Sequence, residues 1–228
     1  MENLRKTSGN TDTSIRNTAI IYQLPILGLD KTTIKRLKGK RTLDLACGNG
    51  SLVEELRSRG VKAEGIDPRA PSKPYFTRRK IIGIGQENGI VADNESYNLI
   101  TSFQNTCLND GIGEIGRLKM ERKKSLGTFD SIRTKYEETC ERARFTISEI
   151  GRTLKIGGRA CIFPNIPDLE IHVGNLLKMN KLRVQRADVN EKILWEYVCS
   201  EGVGMTKEEF YHSPSREYGR LLTLIKEK

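Results

Sequence analysis

Two glycines that directly follow a short apolar run could hold a ligand against bare main chain. Residues 41–51 read RTLDLACGNGS, so a predicted strand runs into Gly48 and Gly50 and a helix follows at once. Glycine leaves the backbone without a Cβ in the way, and a helix N-terminus offers unpaired N–H groups and a partial positive charge. Asp44, near the end of the strand, adds a carboxylate. This pattern is typical of a ligand site built largely from main chain.

An acidic residue at the end of the next predicted strand extends this site. Asp67 and Pro68 follow that strand, and Asp67 stands about 20 residues past the glycine turn, the spacing of a ribose-binding acid. A carboxylate can accept hydrogen bonds from both hydroxyls of a ribose, and the flat ring of Pro68 suits packing on adenine. The turn and Asp67 therefore predict a ligand that contains adenosine.

Two other nucleotide-binding patterns are missing from the turn. A dinucleotide site needs G-x-G-x-x-G, which from Gly48 would require a glycine where the chain has Val53. The phosphate-binding loop, which ends in Gly-Lys-Ser/Thr, is also absent from the sequence.

Strands and helices alternate from residue 41 onward, which predicts an α/β fold with a parallel sheet between two layers of helices. We expect a doubly wound, mostly parallel, seven-stranded sheet that binds its ligand outside the carboxyl ends of the strands. The predicted strands are 41–46, 62–66, 80–84, 97–102, 159–163, 183–188 and 219–226, and the predicted helices are 51–59, 131–154 and 168–179.

Capping patterns place the shorter helices. After a loose tail, a first helix is expected before Pro25, and Asp30 is expected to cap a second helix that ends at Gly39. Two pairs have the spacing of a capping box, Ser51 with Glu54 and Thr206 with Glu209.

We divide the chain into an N-terminal tail with helices, 1–40, and a main domain, 41–228. Residues 104–130, after the fourth strand, hold glycines and basic residues without clear periodicity. A loop of this length inside a compact domain is usually functional or disordered. We expect an insertion that acts as a lid or a substrate-binding element.

Composition and charge limit the class of protein. No apolar run approaches the ~20 residues that span a bilayer, so we expect no membrane segment. The five cysteines are scattered without a C-x-x-C pair, which argues against a metal site and for a reduced, cytoplasmic setting. The net charge of +10 is concentrated in segments 31–41, 69–80 and 117–124, which favour a polyanion such as RNA. A merely solvated basic surface is an equal alternative.

Four segments together resemble the motifs of the class I S-adenosyl-L-methionine-dependent methyltransferases. LDLACGNG, residues 43–50, is similar to the first motif, hydrophobic-Asp/Glu-x-Gly-x-Gly-x-Gly, with Ala46 at the first glycine. The other three resemble the acidic end of the second strand, the fourth strand and the helix-turn-strand of the fifth strand: EGID (64–67), YNLITS (97–102) and EIGRTLKIGGRACIF (149–163). They occur in the family order, which implies the family's fold and cofactor.

The resemblance also implies a role for each residue of the site. Asp44 would lie near the ammonium of the cofactor, Asp67 would bind the ribose hydroxyls and Pro68 would pack on adenine. The methionine part would be lined by Ala46, Cys47, Gly48, Asn49 and Gly50.

Further residues complete the implied site at later strand ends. Gly85 aligns with the acid that usually meets the adenine amino group, so Gln86 or Glu87 would substitute for it. Ser102 and Phe103 would face the sulfonium and the incoming substrate. No catalytic residue can be assigned, because methyl transfer needs a base only when the nucleophile must lose a proton.

Three functions are compatible with these observations. The first is a methyltransferase of a small molecule, which the compact size favours. In the implied site Tyr22, on the first helix, could close over the cofactor. The second is a methyltransferase of RNA or of a ribonucleoprotein component, which requires the basic segments to share one face around the cofactor. The third is a non-catalytic cofactor-binding or partner subunit, to which Gly85 and the unusual Asn98 of the fourth strand point. The sequence does not determine the methyl acceptor or the oligomeric state.

Overall fold

Seven strands form one sheet in the order β3-β2-β1-β4-β5-β7-β6. This computed structural model describes residues 13–67, 81–82, 89–103, 129–163, 169–200, 206–212 and 219–228. The strands are β1 (Arg41–Leu45), β2 (Lys62–Ile66), β3 (Ile81–Ile82), β4 (Tyr97–Phe103), β5 (Leu154–Phe163), β6 (Leu182–Asp188) and β7 (Arg220–Lys226). β1 to β5 pair in parallel, whereas β7 is antiparallel to both β5 and β6. The predicted doubly wound, mostly parallel sheet is confirmed.

Helices cover both faces of the sheet. They are α1 (Thr13–Ile26), α2 (Lys31–Leu37), α3 (Ser51–Ser58), α4 (Phe129–Thr153), α5 (Leu169–Met179), α6 (Glu191–Ser200) and α7 (Lys207–His212). Because side chains alternate along a strand, Leu99 and Phe103 of β4 join one hydrophobic cluster while Ile100 joins the other. The first cluster contains side chains of α1, α2, α3, α6 and α7, and the second contains those of α4 and α5.

The two N-terminal helices pack on the first of these clusters. Asp30 caps α2 as predicted, since its Oδ1 accepts a 2.7 Å hydrogen bond from the Thr33 N–H. The prediction that the first helix stops before Pro25 is wrong, because α1 continues to Ile26. Pro25 falls in the last turn, where it lacks the N–H that would bond to the carbonyl of residue 21, and only one more helical residue follows.

β5 begins five residues earlier than predicted, at Leu154. Its pairing with β4 jumps from Tyr97–Leu154 to Leu99–Arg159. The turn of the helix-turn-strand motif, which the sequence places at Gly157 and Gly158, is therefore an irregularity inside a longer strand. The predicted capping box of Thr206 with Glu209 is present at the start of α7. There the Thr206 N–H donates to Glu209 Oε2 (2.7 Å) and the Glu209 N–H donates to Thr206 Oγ1 (3.2 Å).

Candidate functional site

Six strands present their carboxyl ends at one edge of the sheet, which we call the carboxyl edge. β1 to β5 are parallel, and β6 shares their direction because β7 is antiparallel to both β5 and β6. The turn 46–50, Asp67, Phe103, Phe163 and Asp188 therefore follow or end strands at this edge. The strand order reverses between β1 and β4, and ligands bind open α/β sheets at such a position.

The turn after β1 is built from left-handed backbone. The φ angle is 54° at Ala46, 58° at Gly48 and 77° at Gly50. The turn is anchored by a 3.1 Å hydrogen bond from the Cys47 N–H to the Ile66 carbonyl of β2. A residue with a Cβ pays about 1–2 kcal/mol for this conformation. This strain explains why the related motif has a glycine where this chain has Ala46.

The side chain of Asn49 orders the junction between the turn and α3. Its Oδ1 accepts hydrogen bonds from the Ser51 hydroxyl (2.7 Å) and the Ser51 N–H (3.2 Å). The N-cap residue of α3 is Gly50, which makes no side-chain cap hydrogen bond. The predicted capping box of Ser51 with Glu54 is therefore wrong, because Ser51 already lies in the first helical turn, one position past the cap.

Asp67 connects the end of β2 to the glycine turn. Its Oδ2 accepts a 2.8 Å hydrogen bond from the Gly48 N–H, and the residue is 2% exposed. Nineteen positions separate these two residues in the chain. The bare backbone and the acid that the sequence analysis selected separately thus lie in direct contact.

Gly65 on β2 leaves the space into which the turn packs. A Cβ at this position would lie 2.6 Å from Cys47 Sγ, 2.9 Å from Cys47 Cβ and 3.0 Å from Val53 Cγ2. The side chain of Cys47 therefore packs directly on the main chain of β2, and a larger residue at position 65 would displace the turn.

Asp44 is a buried carboxyl group with a raised pKa of about 7. Burial raises the pKa most, the 2.7 Å hydrogen bond from Thr101 Oγ1 lowers it, and the charge of Asp67 raises it again. The folded chain holds this proton more tightly than the unfolded chain, where the pKa is 3.8, so ionisation of Asp44 reduces stability as the pH rises from 3.8 to about 7. Among the described residues no basic side chain contributes to this shift. The site therefore suits a cationic group of a ligand.

Ser102 brings a buried hydroxyl to the end of β4. It pairs with Leu45 of β1 on one side and with Ile162 of β5 on the other. Its Oγ is buried and makes no hydrogen bond with any residue that the structure describes. A buried polar atom in this state fits a ligand that brings its own hydrogen-bonding group.

Four aromatic rings from four elements meet next to Ser102, and we call them the aromatic cluster: Tyr22, Phe103, Phe163 and Tyr197. Phe103 stacks on Phe163 and meets Tyr197 edge-on, with 5.3 Å between ring centroids in both pairs. Tyr22 of α1 lies 6.5 Å from Tyr197. The cluster covers the ends of β4 and β5 with apolar surface.

The chain leaves the sheet after Asp188 and returns at Arg220, both at the carboxyl edge. We call the described residues between them, 189–200, 206–212 and 219, the cap. Asp188 ends β6 and pairs in register with Arg220, the first residue of β7, with 2.7 Å between Arg220 Nε and Asp188 Oδ1. The cap contains α6 and α7, whose rings Trp195 and Phe210 pack together at 5.5 Å. Tyr197 of α6 reaches the aromatic cluster, so the cap lies over the ends of β4 and β5.

The structure places part of the predicted site and leaves part of it undescribed. Asp44, the turn 46–50, Asp67, Ser102 and Phe103 all lie at the carboxyl edge. Pro68, Gln86, Glu87, the basic segments 69–80 and 117–124, and residues 104–128 of the predicted insertion lie outside the described residues.

Sequence reasoning missed Gly65, Thr101, Phe163 and Tyr197. Gly65 and Thr101 stood inside the quoted motifs EGID and YNLITS, so a closer reading of those strands could have found them. Tyr197 carries no local signal, because it reaches the site only through the fold of the cap.

Other kinds of site are not evident in the part of the chain that the structure describes. It contains no group of three or more His, Cys, Asp or Glu residues placed to hold a metal ion. None of its helices combines the length and the apolar character that crossing a membrane requires. Within the described residues Cys47, Cys161 and Cys199 form no disulfide.

Solved methyltransferase structures share this fold at low sequence identity. A geranyl diphosphate methyltransferase in complex with GPP and sinefungin is 15% identical, with a TM-score of 0.50, over 90% of this chain and 74% of that chain. A putative S-adenosylmethionine-dependent methyltransferase from Listeria monocytogenes is 12% identical, with a TM-score of 0.50, over 93% of this chain and 100% of that chain. The structure of StiE O-MT residues 961–1257 is 15% identical, with a TM-score of 0.50, over 94% of this chain and 74% of that chain.

No protein-family model and no curated protein sequence matches the chain. The likeness to solved methyltransferase structures nevertheless shows that the chain has the class I methyltransferase fold, as the four motifs implied.

Proposed function

We propose that this protein is an S-adenosyl-L-methionine-dependent methyltransferase. The observation that carries the proposal is the hydrogen bond between Asp67 and the Gly48 N–H, at the point where the strand order reverses. This bond joins Asp67, an acid at the position that binds ribose in nucleotide-binding folds, to the glycine turn after β1. Solved methyltransferases share the fold in which the two lie.

The residues present fit the cofactor in four respects. Gly48 and Gly50 would leave room for its methionine part, and Asp67 would accept the ribose hydroxyls. Asp44 would carry the counter-charge for its ammonium, which agrees with a buried carboxyl group whose pKa no described basic side chain lowers. Ser102 would offer its unpaired hydroxyl at the end of β4. The contacts of Pro68, Gln86 and Glu87 with adenine remain part of the proposal.

The cofactor, when bound, supplies a methyl group on a sulfonium that a nucleophile takes by in-line displacement. The tasks of the chain are then to align the acceptor and to exclude water. The aromatic cluster suits both tasks, because the buried rings of Phe103, Phe163 and Tyr197 meet at the ends of β4 and β5. No side chain is assigned as a base.

A small molecule is the acceptor that we favour. The position of the basic segment 31–41 supports this choice. It includes α2 and leads into the amino end of β1, whereas the proposed cofactor site lies at the carboxyl end of that strand. A strand of five residues separates the two by about 13 Å. RNA as acceptor would need segments 69–80 or 117–124 to face the carboxyl edge. The free thiols agree with a reduced, cytoplasmic location, which we keep as part of the proposal.

A methyl-transfer assay tests this function. The protein is incubated with cofactor labelled in the methyl group and, separately, with a total extract of small metabolites and with total RNA. Label in the metabolite pool is the expected result, and label in RNA alone would favour the second acceptor class. Tight cofactor binding without label in either pool would favour a non-catalytic subunit, and no cofactor binding would refute the proposal.

The raised pKa of Asp44 predicts how cofactor affinity depends on pH. A cationic ammonium binds the ionised carboxylate, so below a pKa of about 7 binding must also remove a proton. We expect the affinity to fall by about tenfold for each pH unit below 7 and to level off above it. Calorimetry between pH 5.5 and 8.5 measures this, and Asp44→Asn should show weak binding without the same slope. An unchanged slope in that variant would assign the titration to another group.

Tyr197 is expected to act on the acceptor rather than on the cofactor. Replacing it by leucine removes the ring that meets both Phe103 and Phe163. We expect kcat/KM for the labelled acceptor to fall at least about tenfold, from lost positioning, with cofactor affinity within about threefold. Trp195→Leu is the matched control, since it disturbs α6 at a ring that packs on Phe210 instead. Equal losses in both variants would show that only the stability of the cap matters.

A further inference from the structure

The described basic segment is part of a larger basic surface, which we call the amino-edge patch: Lys35, Arg36, Lys38, Lys40, Arg57 and Lys62. All six side chains are exposed. Two backbone hydrogen bonds hold the contributing loops side by side, from the Gly39 N–H to the Gly60 carbonyl (2.9 Å) and from the Lys62 N–H to the Lys40 carbonyl (3.0 Å). The fold therefore adds residues 57–62 to the basic segment that the sequence had singled out.

The patch lies at the amino ends of β1 and β2, on the opposite edge of the sheet from the cofactor site. Lys40 directly precedes β1, and Lys62 is the first residue of β2. The acids closest in the chain are already engaged, since Glu64 binds Arg41 (2.6 Å) and Glu55 binds Arg59 (2.6 Å). Within the described ranges, no ion pair involves any residue of the patch. Among the described residues the patch therefore has no ion-pair partner, although Arg36 lies near Asp30, whose pKa is lowered by hydrogen bonds from Thr33 and further by the charge of Arg36.

Helix stability explains only half of the patch. Lys35 and Arg36 of α2 and Arg57 of α3 lie in last turns, where a cation compensates the helix dipole. Lys38, Lys40 and Lys62 lie outside the helices and gain nothing from that effect.

The composition of the patch favours a nucleic acid over a membrane or a protein. Peripheral membrane binding needs apolar side chains that insert, and protein interfaces are rich in aromatic residues and poor in lysine. The large exposed apolar side chains among the described residues are not members of the patch: Ile21, Val91, Phe145, Ile156 and Met179. A lysine-rich surface without apolar members instead suits the phosphates of a nucleic-acid backbone.

We propose that the amino-edge patch binds the phosphate backbone of structured RNA, apart from the site of methyl transfer. The patch offers no aromatic ring for stacking the bases of a single strand. It is formed by two helix ends and two loops and offers no element for reading the major groove of B-form DNA. A-form RNA is recognised mainly by shape and by phosphate and 2′-hydroxyl contacts, which such a surface provides. RNA bound here tethers the protein and is not placed for methylation.

Fluorescence anisotropy with a labelled 20-base-pair RNA duplex, without cofactor, tests the proposal. We expect the triple variant Lys38→Glu, Lys40→Glu, Lys62→Glu to bind at least about tenfold more weakly at 100 mM salt. We also expect the slope of log K against log salt to become shallower by about two to three units. Calorimetry of cofactor binding should be unchanged in this variant, so this result is independent of the proposed methyltransferase activity.

A control with the same change in net charge separates the patch from general electrostatics. It carries Arg142→Glu, Lys192→Glu and Lys207→Glu, on α4, α6 and α7, and should bind RNA within about threefold of the unmodified protein. Equal losses in the two triple variants, or no binding by the unmodified protein, would overturn the proposal. A DNA duplex that binds as tightly, or anionic phosphatidylserine vesicles that bind in a patch-dependent way, would overturn the assignment to RNA.

Discussion

Replacing Asp67 by alanine should lower the affinity for S-adenosyl-L-methionine by roughly a hundredfold or more, because two charge-assisted hydrogen bonds to ribose hydroxyls are lost together. The same change frees the Gly48 N–H, which the Asp67 carboxylate holds at 2.8 Å. The turn that would line the methionine part therefore loses a constraint as well. Isothermal titration calorimetry measures the affinity, and circular dichroism shows whether the variant is folded.

Two further variants make this experiment specific. Asp67→Asn keeps an acceptor for the Gly48 N–H but removes the charge, so its affinity should lie between those of the unmodified protein and of Asp67→Ala. Asp188→Ala removes an exposed carboxylate at the same edge, paired with Arg220, and should leave cofactor affinity unchanged. Near-normal cofactor binding by a folded Asp67→Ala variant would refute the assigned ribose role.

Gly65→Ala is expected to damage the site without changing any residue that would touch the cofactor. The new methyl group would stand 2.6 Å from Cys47 Sγ, so the turn or β2 must move. Overpacking of this kind lowers the free energy of unfolding by about 1–3 kcal/mol. We expect a displaced turn to weaken cofactor binding at least about tenfold, since misplaced donors lose their geometry. Chemical denaturation and calorimetry measure the two effects.

A second substitution shows whether Cys47 is the cause. Cys47→Gly removes both the Sγ and the Cβ that the new methyl group would meet, so Gly65→Ala with Cys47→Gly should recover part of the cofactor affinity. Gly174→Ala is the matched control, because a Cβ there meets nothing within 4 Å. A double variant as weak as Gly65→Ala would place the damage elsewhere, for example at Val53.

The sheet could be predicted because its signals are local. Apolar runs that end in Gly48, Asp67 or Ser102 fix both the strands and the edge at which their ends meet. The helix N-cap at Asp30 was predictable for the same reason, since its side chain reaches a backbone donor only three residues away. The wrong prediction of a capping box at Ser51 has an equally local cause. Gly50, in the left-handed conformation and preceded by Asn49, is the N-cap of α3, one residue before Ser51, and residue spacing alone does not reveal a φ angle.

The remaining parts of the site depend on contacts between distant segments. Tyr197 meets Phe103 only because β6 and β7 send the cap back to the carboxyl edge. The raised pKa of Asp44 depends on its burial and on the nearby charge of Asp67, neither of which a sequence states. The amino-edge patch likewise exists because Gly39 and Gly60 bring two loops together. Such features follow from topology and not from periodicity.

The pairing of Asp188 with Arg220, at the end of β6 and the start of β7, has an evolutionary consequence. The cap departs from one partner of a paired position and returns to the other, so its length and composition can change without shifting the register of the sheet. If the protein is the methyltransferase that we propose, donor recognition at β1 and β2 and acceptor selection above β4 and β5 would be separable in evolution. In the methyltransferase that we propose, mutation of the cap alone would let a lineage adopt a new acceptor while keeping its old methyl donor.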